Sequence, residues 1–355
     1  MIDWWSINFG ESEIESIAKA IRGRNISQGK VNTLLEETFA RALNAKYAVT
    51  APNGTQAILM ALHAAGVRGG DEVVVSSLTA IGTANGIMGL GAKPVFVDCS
   101  SQNPNLDLEQ IESKITGRTK AILVVHFNGI AVDVKKVQTI ASKYGIPVIE
   151  DAAQAMFSSF QDRYLGTFAF AGTFSFATTK IISSGQGGIT VTNDEELYKS
   201  MYKLKIQDRD DYDTPAFNMK FTDIHAAMLI PQLEQISIKI NKLKDIFEYY
   251  KKAFLNLDKV SMVGNTANPG EVPLWAIAQF VERDKLFDFM VENGVKPLKW
   301  ARPLNEAKWF NNIGHFPNAS KWASGGLRLP CGPGRNFADI EKTIEVIYDF
   351  YKVSA

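Results

Sequence analysis

From Asp71 to Asp194 short apolar runs alternate with stretches of helical spacing. Glu72 to Val75, Pro94 to Val97, Ala121 to Val125, Pro147 to Ile149, Thr173 to Phe176 and Gly188 to Thr192 each read as a short buried strand, rich in apolar residues with only Thr, Ser or an end residue breaking the run. Strands alternating with helices predict an α/β domain, a mainly parallel sheet flanked by helices. Ahead of it, Ile14, Ile17, Ala18 and Ile21 place a helix over Glu13 to Ile21, and a second helix runs from Gln56 to Ala65, opening at Asn53-Gly54-Thr55. After Asp223 the pattern changes. Ile240, Leu243, Phe247, Tyr250 and Phe254 recur at three- and four-residue steps, which predicts a long amphipathic helix over Lys239 to Phe254. Beyond it a strand-like piece, Trp275 to Val281, and helices over Lys285 to Asn293 and Ala338 to Tyr351 suit a small α+β domain. The expected division is a large domain over 1–238 and a small C-terminal one over 239–355, opened by the bridging helix.

Length and composition are consistent with this. The chain has 355 residues, 46% of them hydrophobic and 21% charged, as in globular proteins with a sizeable core. Lys plus Arg and Asp plus Glu number 38 each, so no net field favours nucleic acid or an anionic membrane. Met1-Ile2-Asp3-Trp4-Trp5-Ser6 has no basic stretch followed by an apolar run, and no segment is as long as a membrane span, so the expected location is the cytoplasm. Cys99 and Cys331 lie far apart with no CxxC, and His63, His126, His225 and His315 are scattered singly without HExxH spacing. Neither a disulfide framework nor a metal site is expected.

The candidate chemistry lies at strand ends. Asp151 follows the buried run Ile146 to Glu150, and ligands of open parallel sheets bind outside the carboxyl ends of their strands. An aspartate here also suits a plain helix cap. About thirty residues on stands Lys180, in Phe174-Ser175-Phe176-Ala177-Thr178-Thr179-Lys180. An acid followed by a lysine suits a pyridoxal phosphate enzyme. The carboxylate keeps a pyridine nitrogen protonated, and the amine binds the aldehyde and later moves protons. Gly54 and Thr55 open a helix whose amides, hydroxyl and dipole suit a phosphate, and Ser175 could add a second hydroxyl. Rival motifs fail: GxxxxGK[ST] and GxSxG are absent, and Gly185-Gln186-Gly187-Gly188 leads into a strand, not a helix.

These motifs, in this order, resemble the DegT/DnrJ/EryC1/StrS family of nucleotide-sugar aminotransferases, fold-type I pyridoxal phosphate enzymes. The resemblance runs over nearly the whole chain, from Ser27-Gln28-Gly29 and Asn53-Gly54-Thr55 through Gly91 to Asp98, Glu150-Asp151-Ala152-Ala153-Gln154, Thr173 to Phe176, Lys180 and Gly185 to Gly188, to Val191-Thr192-Asn193-Asp194. It implies that Lys180 anchors pyridoxal 5'-phosphate covalently and that Asp151 pairs with the pyridinium nitrogen. It also implies that Gln154 lies near the phenolic oxygen and that Gly54, Thr55 and Ser175 hold the phosphate. Asn218, in Phe217-Asn218-Met219-Lys220, would complete the phosphate site of a neighbouring subunit, so a homodimer with shared active sites is implied. The implied reaction moves an amino group from an amino acid, glutamate or glutamine, through the pyridoxamine 5'-phosphate form of the cofactor, to a keto group of a nucleotide-linked sugar.

Three positions depart from the family pattern. Ala80 stands where an aromatic usually stacks on the pyridine ring, Lys220 where arginine is common, and Asn305 where a histidine often follows Pro303-Leu304. They leave open an acceptor that is a cyclitol or other keto-alcohol, and a catalytically silent member. A dehydratase of this scaffold would carry histidine in place of Lys180. Trp300, Arg302, Lys308 and Trp309 could bind a diphosphate and stack a base, against the plainer reading of a solvated loop with two half-buried tryptophans.

Overall fold

The computed structural model describes residues 1–206, 216–264, 268–300, 302–310 and 313–353. Its larger sheet has seven strands: β1 (Tyr47–Ala51), β2 (Glu72–Ser76), β3 (Lys93–Val97), β4 (Thr119–Val125), β5 (Val148–Asp151), β6 (Ala171–Ser175) and β7 (Gly188–Thr192). The spatial order is β1-β7-β6-β5-β4-β2-β3. Pairing is parallel from β6 to β3, and β7 runs antiparallel to both β1 and β6. This is the mixed, mainly parallel sheet expected of the fold. Every residue of β2, β5, β6 and β7 is buried, because helices cover both faces.

The covering helices include α1 (Glu11–Arg22), α2 (Lys30–Ala42), α3 (Gly54–Ala64), α4 (Ile81–Met88), α5 (Val134–Ser142), α6 (Glu195–Lys205) and α7 (Asp223–Glu234). α2 and β1 were not anticipated from the apolar pattern. α2 starts at Gly29, which has no capping side chain. Its first amides are satisfied by Asp223, 194 residues away, whose carboxylate accepts from Gly29 N and Asn32 N at 2.8 Å and from Val31 N at 3.3 Å.

The long amphipathic helix forms as expected, as α8 (Ile236–Ala253). A second sheet follows, antiparallel throughout, of β8 (Val260–Met262), β9 (Ile277–Phe280), β10 (Leu298–Lys299) and β11 (Gly326–Arg328) in the order β8-β9-β11-β10. Helices α9 (Arg283–Glu292), α10 (Pro317–Gly325) and α11 (Phe337–Val353) accompany it. The chain start joins this end of the molecule: Ile2–Asp3 pairs in parallel with Val295–Lys296, and Trp5 bridges to Cys331. Asp98, just past β3, accepts from Asn318 N and Ala319 N at the start of α10 and so ties that helix to the larger sheet.

Candidate active site

The strand ends converge. Asp151 is the last residue of β5, one step further into the strand than the apolar run suggests, abreast of Val125 on β4 and Thr173 on β6. Its carboxylate is buried. Oδ2 accepts from Thr83 Oγ1 at 2.8 Å, and Oδ1 from Ala153 N at 3.1 Å. Burial raises its pKa against the pull of those hydrogen bonds and of Lys180 and His126. Lys180 follows β6, with Nζ 5.2 Å from the centroid of the Trp275 ring. Burial lowers its pKa to about 8, Asp151 opposes the drop, and Arg328 adds to it. Each group is thus drawn toward its neutral form.

The residues before and after Asp151 are held firmly. Glu150 is fully buried and accepts from Gly166 N and Ala169 N, each at 2.7 Å. His126 Nδ1 accepts from Val132 N at 3.1 Å, which places the proton on Nε2, 2.9 Å from Glu150 Oε2. Gln154 is 5% exposed, and its Oε1 accepts from Asn128 N at 3.1 Å. That leaves the Nε2 amide as the free donor. Asn128 has φ 51° and is locked to Trp275 by two hydrogen bonds, Nδ2 to Trp275 O at 3.0 Å and Trp275 N to Oδ1 at 2.8 Å. Gln154 and Lys180 line one cleft together with Met156, Ile181, Val272 and Leu274. A larger cleft beside Lys244, Phe247 and Pro269 contains none of the predicted site residues.

Gly54, Thr55 and Ser175 also meet. Asn53 caps α3 by accepting from Gln56 N at 3.0 Å and bridges to Gly187, so the helix start lies beside the end of β6. A Cβ on Gly54 would lie 2.9 Å from Ser175 Cβ and 3.2 Å from its Oγ, so only glycine permits this approach. The start of α3, with its dipole, then lies against the Ser175 hydroxyl, while Thr55 Oγ1 lies 2.7 Å from where a Cβ on Gly82 would stand. Asn218 is not brought to this cluster. It is exposed between Phe217 and Met219, whose amides donate to Leu204 O and Lys205 O.

The departures can be placed. Ala80 is exposed at the start of α4 and presents no ring. Lys220 is exposed. Asn305 is buried with Oδ1 lacking a hydrogen-bond partner, next to Leu304, whose amide donates to Ser77 O at 2.7 Å. The reading of two half-buried tryptophans is corrected in both directions. Trp300 is 5% exposed and stacks on Phe127 at 4.7 Å, whereas Trp309 is 81% exposed. Sequence reasoning missed Thr83, Trp275 and Arg328. Thr83 had a visible signal, a second hydroxyl one turn after Thr79 at a helix start. Trp275 and Arg328 reach the site only through the second sheet.

Pyridoxal phosphate fits this set. Asp151 is a buried carboxylate with hydroxyl and amide donors but no hydrogen-bonded cation, which is the partner a protonated pyridine nitrogen supplies. The close approach of Gly54 to Ser175 brings a helix start and a hydroxyl together, donors of the kind a phosphate needs.

Comparison with known proteins agrees. A model of the DegT/DnrJ/EryC1/StrS aminotransferase family matches residues 8–348. GDP-perosamine synthase of Escherichia coli O157:H7 is 31% identical over 335 residues, covering 92% of this chain and 91% of that protein. Among solved structures, a DegT DnrJ EryC1 StrS aminotransferase from Brucella abortus superposes with TM-score 0.90 at 27% identity over 96% of this chain and 95% of its own. S. venezuelae DesV superposes with TM-score 0.91 at 25% identity, covering 96% and 94%.

Proposed function

Because the chain belongs to the DegT/DnrJ/EryC1/StrS aminotransferase family, and so is a pyridoxal-phosphate-dependent transaminase, we propose that it transfers the amino group of glutamate to a keto group of a nucleotide-linked sugar. The observation that carries the site assignment is the pairing of buried Asp151 with half-buried Lys180, each shifted toward neutrality and each acting on the other's charge, with Lys180 lining one cleft together with Gln154. The relatives named GDP-perosamine synthase support the acceptor class.

Bound pyridoxal phosphate supplies an electron sink for the pair released when the donor carbon loses its proton. The chain's residues do the rest. Lys180 Nζ would hold the aldehyde and would carry the donor proton as a base whose lowered pKa keeps part of it neutral near pH 8. Asp151, aimed by Thr83 and the Ala153 amide, holds the ring nitrogen protonated. Gln154 Nε2, freed by the bond its Oε1 makes to Asn128 N, would be the donor toward the phenolic oxygen. Gly54, Thr55 and Ser175 would hold the phosphate, with Asn218 of a second copy completing the site. Exposure of Asn218 and Phe217 on a single chain supports that homodimer. The proposed division into 1–238 and 239–355 is supported by the two separate sheets. Among the described residues no helix is long and apolar enough to cross a membrane, which is compatible with a cytoplasmic enzyme.

A cyclitol or other keto-alcohol acceptor is the second reading, favoured by buried, unpartnered Asn305 Oδ1 at the position of the missing histidine. Absorbance of wild type and Lys180→Ala with added cofactor, then with glutamate, tests the core assignment. A visible band in wild type alone, bleached by glutamate, is expected; identical spectra for the two proteins would refute the anchor. Protection against heat by a uridine, thymidine or guanosine diphosphate separates the acceptor classes, since binding the native state raises its stability. No response to any of them would favour the keto-alcohol.

A further inference from the structure

Lys205, the last residue of α6, has its amine shut away from solvent. Nζ donates to Glu36 Oε1 and Thr50 Oγ1, each at 2.7 Å, and to Asn32 Oδ1 at 3.3 Å. Those partners belong to α2 and β1 and are themselves joined: Asn32 Nδ2 donates to Thr50 Oγ1 at 2.9 Å, and Thr50 N to Glu36 Oε1 at 2.7 Å. Three elements thus meet in one buried polar network, and none of its members belongs to the site described above.

The network holds both ends of one stretch of chain. Beyond Lys205 the chain returns beside it, for Phe217 N donates to Leu204 O at 3.0 Å and Met219 N to Lys205 O at 3.1 Å. Asn218 lies between these two amides, exposed, while Met219 and Phe221 are buried. The stretch ends at Asp223, whose carboxylate caps α2. Asn32 is therefore gripped twice, at its side chain by Lys205 and at its backbone amide by Asp223. An interior ion pair is a poor way to gain stability, since apolar residues of the same volume often serve as well or better. What this one adds is direction: three acceptors fix the lysine amine, and the carbonyl of the same residue holds the neighbour of Asn218.

We propose that Lys205 is a positioning residue: anchored by Asn32, Glu36 and Thr50, it fixes where Asn218 is offered to a second copy, so that the network of one chain governs the phosphate site of the other. This rests on the shared-site reading above. A side chain that serves another molecule is aimed from its own root, and the root of Asn218 is the pair of amide bonds to Leu204 and Lys205. A loosened network should therefore weaken phosphate binding in the partner and leave the chain's own cradle intact.

The test titrates the visible band of apo protein with pyridoxal 5'-phosphate and, separately, with pyridoxal, which lacks the phosphate. Lys205→Met/Glu36→Gln removes the amine without stranding a buried carboxylate. Asn32→Leu breaks the same tie without removing a charge, and replaces the first variant if melting shows that it does not refold. Expected for either variant alone is a midpoint raised about 10-fold for pyridoxal 5'-phosphate and unchanged for pyridoxal. Each is then unfolded and refolded as an equal mixture with Lys180→Ala, which forms no band of its own and carries an intact network. About half of the variant chains then pair with a Lys180→Ala chain, so about half of the band should return to the wild-type midpoint. A band that stays wholly at the weaker midpoint places the effect within one chain, and a wild-type midpoint or an equal loss for pyridoxal in the variant alone removes the positioning role; each overturns the proposal. Asn218→Asp mixed with Lys180→Ala tests the reading beneath it. If that mixture also shows only a weakened midpoint, Asn218 does not serve a second copy, and the shared site itself fails.

Discussion

At the scale of single residues, a buried carboxylate and a half-buried amine with opposed shifts make the site measurable by pH. Only neutral Lys180 can capture an aldehyde, and its pKa near 8 means that cofactor capture by the apo chain should rise with pH through about 8, well below the usual lysine range. Stopped-flow absorbance at a series of pH values reads this midpoint. Asp151 stabilises the charged lysine, so Asp151→Asn should move the midpoint down; Arg328 destabilises it, so Arg328→Gln should move it up. Asp151 itself has a pKa above its unfolded value. Its stabilising contribution is therefore present below the unfolded pKa and lost as pH rises through the folded one. Asp151→Asn should accordingly raise the melting temperature of the apo chain at neutral pH, the gain vanishing in acid, while turnover drops by about 100-fold or more. A scanning calorimetry series on apo protein tests the first part, and an unchanged or lowered melting temperature contradicts it. Lys180, Asp151 and Gln154 were all readable in the sequence, since they sit on or just after strands whose apolar runs are unmistakable. Thr83 and Asn128, which aim them, were not, because a hydroxyl in a helix and an asparagine in a turn look the same whether or not they face a carboxylate.

At the scale of elements, the proposed phosphate cradle depends on how closely α3 approaches β6. Gly54→Ala would set a Cβ 2.9 Å from Ser175 Cβ and force the helix start outward. The expected outcome is a stability loss of about 1–3 kcal/mol by urea unfolding, together with cofactor affinity weakened by about 10-fold in equilibrium dialysis. If affinity falls with no change in stability, the helix has not moved and the close approach does not govern the cradle. Six of the seven strands and α3 were foreseeable from short, largely apolar runs and from the helix opening at Asn53. α2 was not, since its cap is Asp223 at the start of α7. β1 was not either. Tyr47–Ala51 pairs only with β7, which follows it by more than 130 residues, and it is one of the two neighbours that make β7 antiparallel in an otherwise parallel sheet.

At the scale of the whole molecule, the proposed sharing of active sites between two copies predicts complementation. Lys180→Ala and Asn218→Asp proteins, each inactive alone, should regain about a quarter of wild-type activity after unfolding and refolding as an equal mixture, because half of the dimers would be mixed and each of those would hold one intact site. Activity no greater than the sum of the parents would mean that Asn218 serves its own chain or no site at all. The sequence by itself determined the layered α/β class, the strand ends that carry Asp151 and Ser175, and the motif order that places the chain in its family. Each of these rests on local periodicity and on residues close together along the chain. Only the tertiary structure decided which groups tune that site: Asp223 capping a helix 194 residues away, the second sheet delivering Trp275 and Arg328 to Lys180, and Trp300 buried while Trp309 is exposed. Those outcomes depend on burial and on charges brought together across long stretches of chain, and neither is written in the spacing of any one segment.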